Sequence, residues 1–341
     1  NGMVTIKDIA REGGVSVSTV SRALADSPLL PKSTSEKIKR LAEQMGYVKN
    51  EAAISLKTGV SQSVGILSFV DEAFGFSHYL FSGILDAFAK RMNDYNYEIF
   101  LISNKSLRDG DTLLRSLRSK KLCGVLILCG YSQTESVKKL IESDIPTIVV
   151  DGFDEDISEM TYCISSENRW GMYELTSAIL RKGHRNIAYI CGEDYYVTHE
   201  RVRGFRQALK ESGIEPNEAM FVRGKYYNLS TVKENIDILL SRPNPPTCIF
   251  FPDDYTAFEA YEILRNKGYR IGEDISVAGF DGLELGAHLQ PRLTTVRQNV
   301  KLLGRTAADT LLDAISGKKR PYMQLLPVHV LDGESVCSLL P

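Results

Sequence analysis

From residue 62 onward, short apolar runs alternate with amphipathic segments, and the whole alternation occurs twice in series. An apolar run rich in Val, Ile and Leu predicts a strand buried on both faces of a parallel sheet, and each amphipathic segment predicts a covering helix. Two such series predict two doubly wound α/β subdomains with a cleft between them, where strand ends and loops meet. The predicted strands are Val64–Phe69, Glu98–Ile102, Gly124–Leu128 and Thr147–Val150, then, after Gly183-His184-Arg185, Asn186–Ile190, Met220–Val222, Thr247–Phe251 and Ile275–Phe280.

Residues 1–60 differ, because apolar residues recur there at helical spacing in three short segments. Two short helices joined by a tight glycine-containing turn and braced by a third form a helix-turn-helix. Each helix has a predicted N-terminal cap. Thr5 forms a capping box with Asp8, and Ser16 precedes a helix from Val17 to Ala25. Ser33 forms a second capping box with Glu36, at the start of a helix that ends at Gly46.

The polar face of the second helix indicates nucleic acid as its partner. It carries short hydroxyls and one arginine, Arg22, with no carboxylate before Asp26. Hydroxyls can approach phosphates and base edges, and arginine can bind guanine through two hydrogen bonds in the major groove. Residues 1–60 hold nine Lys/Arg against six Asp/Glu, whereas the remainder holds 32 against 37, so a basic head precedes an acidic body. From periodicity alone, a solvated face on a structural three-helix unit stays open.

The run Val4-Thr5-Ile6-Lys7-Asp8-Ile9-Ala10, followed by Gly14 to Leu24, resembles the DNA-binding signature of the lactose-repressor/galactose-repressor family. Gly46-Tyr47 and Asn50 to Lys57 resemble the end of that head and the family's hinge helix, with Gly13 and Ile54 as departures. The resemblance implies a transcription regulator that binds palindromic operator DNA as a homodimer or a higher assembly, and Leu56 lies where the family wedges a leucine into the minor groove. The DNA-binding residues that it implies are Thr5, Ser16, Val17, Ser18, Thr19, Ser21, Arg22, Asn50, Ala53, Leu56 and Lys57.

The body resembles the same family over its full length, through Arg201 to Phe205, Asp253-Asp254, Asp274 to Asp281 and Leu293 to Gln298. The resemblance implies a periplasmic-binding-protein-like core, with a chain that crosses three times between subdomains. The expected domains are the head at 1–49, a hinge helix and linker at 50–61, and a core at 62–341. Within the core we expect an N-subdomain of 62–162 and 292–323 and a C-subdomain of 163–291 and 324–341.

The resemblance also implies a small-molecule effector between the subdomains, and a sugar is favoured because carboxylates, arginine and aromatic rings suit hydroxyl-rich rings. Alternatives stay open: Arg201 and Asp281 as a structural ion pair, Asp253 as a helix cap, and two of the aromatic residues, Phe76 and Tyr226, as core. The resemblance places Tyr195 at a position where purine-sensing members of the family carry an arginine. The absence of that arginine counts against a purine as the effector. The implied effector-binding residues are Phe76, Ser77, Asp151, Tyr195, Arg201, Tyr226, Asp253, Asp281 and Gln298.

Other classes of protein fit less well. The sequence has no dinucleotide-binding glycine motif, phosphate-binding loop or nucleophile elbow, so we expect no enzyme, no cofactor and no metal. No apolar run of transmembrane length and no secretion signal occur, and the six scattered cysteines suggest free thiols, so a cytoplasmic location is expected over a secreted sugar-binding protein. We predict a repressor of carbohydrate-utilisation genes that a sugar switches; the alternatives are gating by a purine-like corepressor or by a phosphorylated carrier protein.

Overall fold

The structure, a computed structural model, describes residues 4–47, 61–68, 79–102, 110–128, 135–152 and 158–340. The chain separates into two compact units, Asn1–Ser61 and Gln62–Pro341. The predicted hinge helix, with Asn50, Ala53, Leu56 and Lys57, and the predicted effector residues Phe76 and Ser77 lie outside the described residues. No helix of the described ranges is long and apolar enough to cross a membrane.

The first unit contains three helices, α1 (Ile6–Glu12), α2 (Val17–Leu24) and α3 (Lys32–Gln44). Their apolar faces pack into one small core of Ile9, Ala10, Val20, Ala23, Ile38 and Ala42. The predicted capping box at Thr5 and cap at Ser16 are present.

The predicted cap of the third helix is wrong. Helix α3 begins at Lys32 after Pro31 and has no side-chain cap, so Ser33 and Glu36 form no capping box. Because Ser33 already lies in the first helical turn, its side chain cannot serve at the cap position, which needs extended backbone. Helix α2 ends one residue earlier than predicted, at Leu24.

The second unit begins with a six-stranded parallel sheet in the order β11-β5-β4-β3-β1-β2. Alternate strand residues point to opposite faces, so two separate cores form, one with Val64 and Ile66, the other with Leu67 and Ile127. Its elements are β1 (Ser63–Ser68), α4 (Tyr79–Asn93), β2 (Glu98–Leu101), α5 (Gly110–Ser119), β3 (Val125–Leu128), α6 (Glu135–Ile141), β4 (Thr147–Val150), β5 (Thr161–Ser166), α11 (Val300–Ile315) and β11 (Met323–Leu326).

A second parallel sheet of four strands, β7-β6-β8-β9, forms the other subdomain. The antiparallel pair of β10 and β12 lies beside it, with Val296 and Val328 in the same apolar core as Tyr189. Its elements are α7 (Asn168–Arg181), β6 (Ile187–Cys191), α8 (Tyr196–Glu211), β7 (Phe221–Arg223), α9 (Val232–Leu240), β8 (Cys248–Phe250), α10 (Asp254–Asn266), β9 (Ser276–Ala278), β10 (Thr295–Arg297) and β12 (His329–Leu331).

The expected subdomain limits need three corrections. Strand β10, expected in the N-subdomain segment 292–323, pairs with β12 and contributes Val296 to the core of the second subdomain. Strand β5 lies wholly in the first sheet, so the first crossover follows Ser166 instead of residue 162. Strand β11 pairs with β5 in that sheet, so residues 324–326 belong to the N-subdomain and not to the C-subdomain tail. The sequence prediction missed β5, because hydroxyl side chains interrupt its apolar pattern.

Candidate functional site

The DNA-binding candidates of the head extend from the N-caps Thr5 and Ser16 to Arg22 in the last turn of α2. Ser16 caps α2, since its Oγ accepts a hydrogen bond from the Thr19 backbone N–H at 3.1 Å and lies 2.7 Å from Ser18 Oγ. Thr5 caps α1 and donates through its own N–H to Asp8 Oδ2 at 3.0 Å. These two side chains therefore hold helix ends, whose free N–H groups suit a phosphate.

The exposed face of α2 carries an apolar residue, hydroxyls and a cation. Val17 is 42% exposed, and Ser18 and Arg22 are exposed as well. Thr19 and Ser21 are half-buried along the same helix. Arg22 forms no ion pair with any described residue.

Acidic groups near this face are neutralised. Asp8 forms an ion pair with Arg11 at 2.8 Å, and Asp26, just after α2, pairs with Lys39. These two carboxylates are therefore compensated by cations of the head.

In the second unit, Arg201 lies at the centre of a buried polar cluster. The residue is 2% exposed, its Nε donates to Asn168 Oδ1 at 2.8 Å, and its Nη1 donates to the Pro252 carbonyl at 2.7 Å. The guanidinium lies 3.6 Å from the centre of the Phe280 ring. Two of its donors are thus held by the protein, and Nη2, 3.9 Å from Asp281 Oδ1, is too far for a hydrogen bond to that carboxylate. The structural ion pair that the sequence left open as an alternative is thus present only as a charge contact.

Asp281 follows β9 with a positive φ of 123°, a backbone conformation that side-chain-bearing residues rarely adopt. Its Oδ1 accepts from Gln298 Nε2 at 2.8 Å and its Oδ2 from the Tyr227 hydroxyl at 3.1 Å. Burial raises the pKa of Asp281 to about 7, although the nearby Arg201 lowers it. A strained, buried and weakly acidic carboxyl of this kind is typical of a ligand site.

Asp253 caps α10, the alternative that the sequence left open. Its Oδ1 accepts from the Thr256 backbone N–H at 2.9 Å, and its Oδ2 accepts from the Tyr227 N–H at 2.8 Å. Burial raises its pKa to about 6. Its neighbour Asp254 accepts from Thr295 Oγ1 at 2.6 Å and from the Leu283 N–H at 2.7 Å, so it ties loops together. The described residues contain no His, Cys, Asp or Glu cluster that could hold a metal ion.

Two serines of strand β5 bond to polar side chains of different parts of the cluster. Ser165 donates to Asp151 Oδ1 at 2.6 Å, and Ser166 donates to Gln298 Oε1 at 2.6 Å. Asn168, just beyond the crossover, donates to Ser165 Oγ at 3.1 Å and accepts from Arg201. Asp151 has a φ of 58°, and burial raises its pKa.

Tyrosines from the loop after β7 form the aromatic part of this cluster. The Tyr226 ring lies 5.5 Å from the Arg201 guanidinium, and its hydroxyl is 2.9 Å from Thr198 Oγ1. Tyr227 contacts Asp281, and its ring meets Phe81 of α4 edge-on at 5.7 Å, so it links the two subdomains. Tyr195 lies at the N-cap of α8 and is 38% exposed.

The structure thus brings Asp151, Arg201, Tyr226, Asp253, Asp281 and Gln298 into one connected cluster. Sequence reasoning missed Tyr227, Asn168, Ser165 and Ser166. The Tyr-Tyr doublet was a usable signal for Tyr227, whereas the other three follow from the unrecognised strand β5. Phe76 and Ser77 lie outside the described residues.

Comparisons with known proteins agree for both units. Residues 5–50 match the family described as bacterial regulatory proteins, lacI family, and residues 176–336 match the periplasmic binding protein-like domain. The chain is 30% identical over 320 residues to the HTH-type transcriptional repressor PurR of Vibrio atlanticus, covering 93% of each chain. It is 32% identical to the probable HTH-type transcriptional repressor ExuR of Bacillus subtilis, covering 92% of each.

Solved structures give the same result. A transcriptional regulator CelR–cellobiose complex superposes with a TM-score of 0.74 at 26% identity, covering 97% of this chain and 99% of that one. The Lac repressor dimer bound to operator and the anti-inducer ONPF superposes with a TM-score of 0.83 at 24% identity, covering 98% and 100%. With a helix-turn-helix head, a periplasmic-binding-protein-like core and relatives that match along nearly the whole chain, this protein belongs to the lacI family of bacterial regulatory proteins and is a DNA-binding transcriptional regulator, not an enzyme.

Proposed function

We propose that this regulator represses carbohydrate-utilisation genes and that a neutral sugar, bound in the cluster around Arg201, switches its affinity for operator DNA. The observation that supports this proposal is the number of positive and negative groups in that cluster. One guanidinium faces the carboxyl groups of Asp151, Asp253 and Asp281, and each of these carboxyls interacts electrostatically with Arg201. Adding an anion here would add repulsion, whereas sugar hydroxyls can donate to the carboxyl oxygens and accept from Nη2 of Arg201.

A neutral sugar also suits the geometry. Tyr226 and Tyr227 supply aromatic rings with centroids 5.9 Å apart, beside the polar groups. Sugar rings offer an apolar face and a hydroxyl edge, so they use both kinds of group. The CelR–cellobiose complex, which shares this fold over almost the whole chain, is a precedent for a sugar as the ligand.

We also infer that the protein binds a palindromic operator as a homodimer in the cytoplasm. The head offers one short recognition helix, and pairing two heads on one DNA raises the effective concentration of the second head. The operator-bound dimer of the Lac repressor, which shares this fold, supports that arrangement.

A ligand screen by thermal shift tests the sugar assignment. The full-length protein is heated with neutral mono- and disaccharides, with uronic acids and with purine bases. A ligand at 100 times its Kd should stabilise the folded protein by about 2.7 kcal/mol. We expect stabilisation by a neutral sugar and release of operator DNA by the same sugar in a gel-shift assay.

Two variants locate the bound sugar. Arg201→Ala should abolish the release of operator DNA by the sugar, whereas Arg203→Ala, at an exposed arginine two residues later, should keep it. A shift with purine bases or uronic acids only would overturn the proposal. Operator release by a sugar that survives Arg201→Ala would mean that the effector binds elsewhere in the protein.

A further inference from the structure

A second cavity, with a volume of 320 Å³, lies at the crossover from β5 to α7. Its lining comes from the crossover (Ser166 and Glu167), from α7 and α8, and from Leu325 of β11. Arg201, Asp253 and Asp281 do not line it. The cavity therefore shares Ser166 and Asn168 with the cluster described above but none of its charged residues, and both subdomains contribute to it.

The lining of this cavity includes an exposed indole. Trp170 is 53% exposed and stacks on Tyr173, with ring centroids 5.4 Å apart and planes inclined by 25°. Tyr173 is held in turn by its hydroxyl, which donates to Glu211 Oε2 at 2.6 Å. One face of the indole is covered by the protein and the rest is open. A large ring held rigidly in the open presents apolar area to a ligand at little cost in side-chain entropy.

Flat polar groups surround the indole. The guanidinium of Arg169 donates to Gln207 Oε1 from Nε at 3.2 Å and from Nη2 at 2.8 Å. Gln207 Nε2 donates to Glu211 Oε1 at 2.9 Å, which fixes the amide plane. Carboxylates of Glu167 and Glu200 complete the lining, and Arg203 pairs with Glu200.

The two carboxylates of this lining are balanced by Arg169 of the lining and by Arg203, which lies outside the lining and pairs with Glu200. Glu167 and Glu200 contribute two negative charges, and Arg169 and the Arg203 partner of Glu200 contribute two positive charges. A cationic or an anionic ligand gains no net attraction from such a set. A neutral ligand with several hydroxyls can donate to the carboxylates and accept from the guanidinium and the amide.

We propose that this cavity is a second small-molecule site that binds one neutral, hydroxyl-rich ring, with the C–H face of the ring on the indole of Trp170. The hydroxyls of the ring bond to Glu200, Gln207 and Glu167. Its volume lies at the lower end of the range of small-ligand pockets, which are about 300–1,000 Å³, so it suits a single ring. This site does not depend on which effector the Arg201 cluster binds.

The test uses the fact that Trp170 is the chain's single tryptophan. Intrinsic fluorescence of the full-length protein therefore reports the environment of this cavity. The protein is titrated with glucose, galactose and cellobiose, and in parallel with spermidine, glucuronate and adenosine. We expect a saturable change with at least one neutral sugar and none with the other three compounds.

Variants separate this site from the Arg201 cluster. Gln207→Ala should weaken the fluorescence-detected affinity at least tenfold, whereas Lys210→Ala, exposed on the same helix, should leave it unchanged. Asp281→Asn should also leave it unchanged, even if it removes ligand binding from the other cluster. Ligand-free melts of each variant check that the fold persists.

Three results would overturn the proposal: a response that only grows linearly with sugar, a response to the charged compounds or adenosine alone, or loss of the response in Asp281→Asn. The last result would mean that Trp170 senses the Arg201 cluster from a distance. The proposed effector function would survive it, because that function is tested by operator release.

Discussion

The head and the core expose their functional groups in opposite ways. On α2 the candidate DNA-contacting residues Val17, Ser18 and Arg22 face solvent and come from one helix of eight residues. In the core, Arg201, Asp281 and their partners are buried and come from many segments; Ser166 and Gln298, for example, are bonded across 132 residues of sequence. The comparison teaches that a surface for a large polyanion needs only exposed side chains on one helix. A site for a small molecule needs a network of buried polar groups that the fold holds in place before the ligand binds.

The largest effect that separates the two regions should come from removing Arg201. Arg201→Ala leaves three carboxyl groups without their cation, and breaking a buried charge arrangement costs about 3–5 kcal/mol of unfolding free energy. Arg203→Ala, at a side chain that is 64% exposed, should change it by less than about 0.5 kcal/mol. Chemical denaturation of both variants measures the difference. Equal stabilities would mean that the core network is no more demanding than the surface.

Arg22→Ala should affect function without affecting folding. We expect a loss of about 1–3 kcal/mol in affinity for the specific operator and a much smaller loss for unrelated DNA. Fluorescence anisotropy with both DNAs at one salt concentration measures this. If both affinities fall equally, Arg22 contacts a phosphate, and the base-reading role assigned to it is wrong.

The pH dependence of stability should reside in the core. The pKa of Asp281 is raised to about 7 in the folded protein, so the folded state holds this proton more tightly than the unfolded state does. The stabilisation is fully present below about pH 4 and is lost as the pH rises towards 7, by at most about 1.4 kcal/mol per pH unit.

Asp281→Asn measures this contribution, because the amide keeps an acceptor oxygen and does not titrate. Asp253 shifts in the same direction, so the informative quantity is the difference between wild type and variant. That difference should change from about pH 4 through pH 7 and level off at about pH 8. Parallel curves for the two proteins would contradict the assignment.

The smallest expected effect concerns the caps of the head. Ser16→Ala removes the hydrogen bond to the Thr19 N–H and should cost about 1 kcal/mol of head stability. Ser33→Ala is the matched control, because Ser33 lies in the first turn of α3 and caps nothing. Amide hydrogen exchange in α2 and α3 distinguishes the two. A larger loss for Ser33→Ala would restore the capping box that the sequence suggested.

Prediction from sequence succeeded where the signal is local. The caps at Thr5 and Ser16, the three helices of the head and the apolar strands follow from spacing within a few residues. The resemblance supplied Arg201, Asp253, Asp281 and Gln298. It did not supply their partners Ser165, Ser166 and Asn168. These residues lie in or just after strand β5, which was not predicted because hydroxyl side chains interrupt its apolar pattern.

Contacts across the fold account for the other errors. Strand β11 belongs to the first sheet only because it pairs with β5, about 160 residues earlier in the chain, and no local pattern contains that pairing. Tyr227 acquires its place from a positive φ of 55° and from contacts with Asp281 and Phe81, which depend on the finished fold.

The division of the first sheet between distant parts of the chain has a consequence for protein synthesis. Helix α11 covers one face of that sheet, with Leu303 and Leu311 in the same core as Val64, and β11 forms its edge. A nascent chain therefore cannot complete this first-made sheet until residue 326 has left the ribosome. The four strands of the second sheet, in contrast, are all available once residue 278 has emerged. The sheet that is begun first is thus completed last, and its half-covered apolar face is the surface that a chaperone would meet during translation.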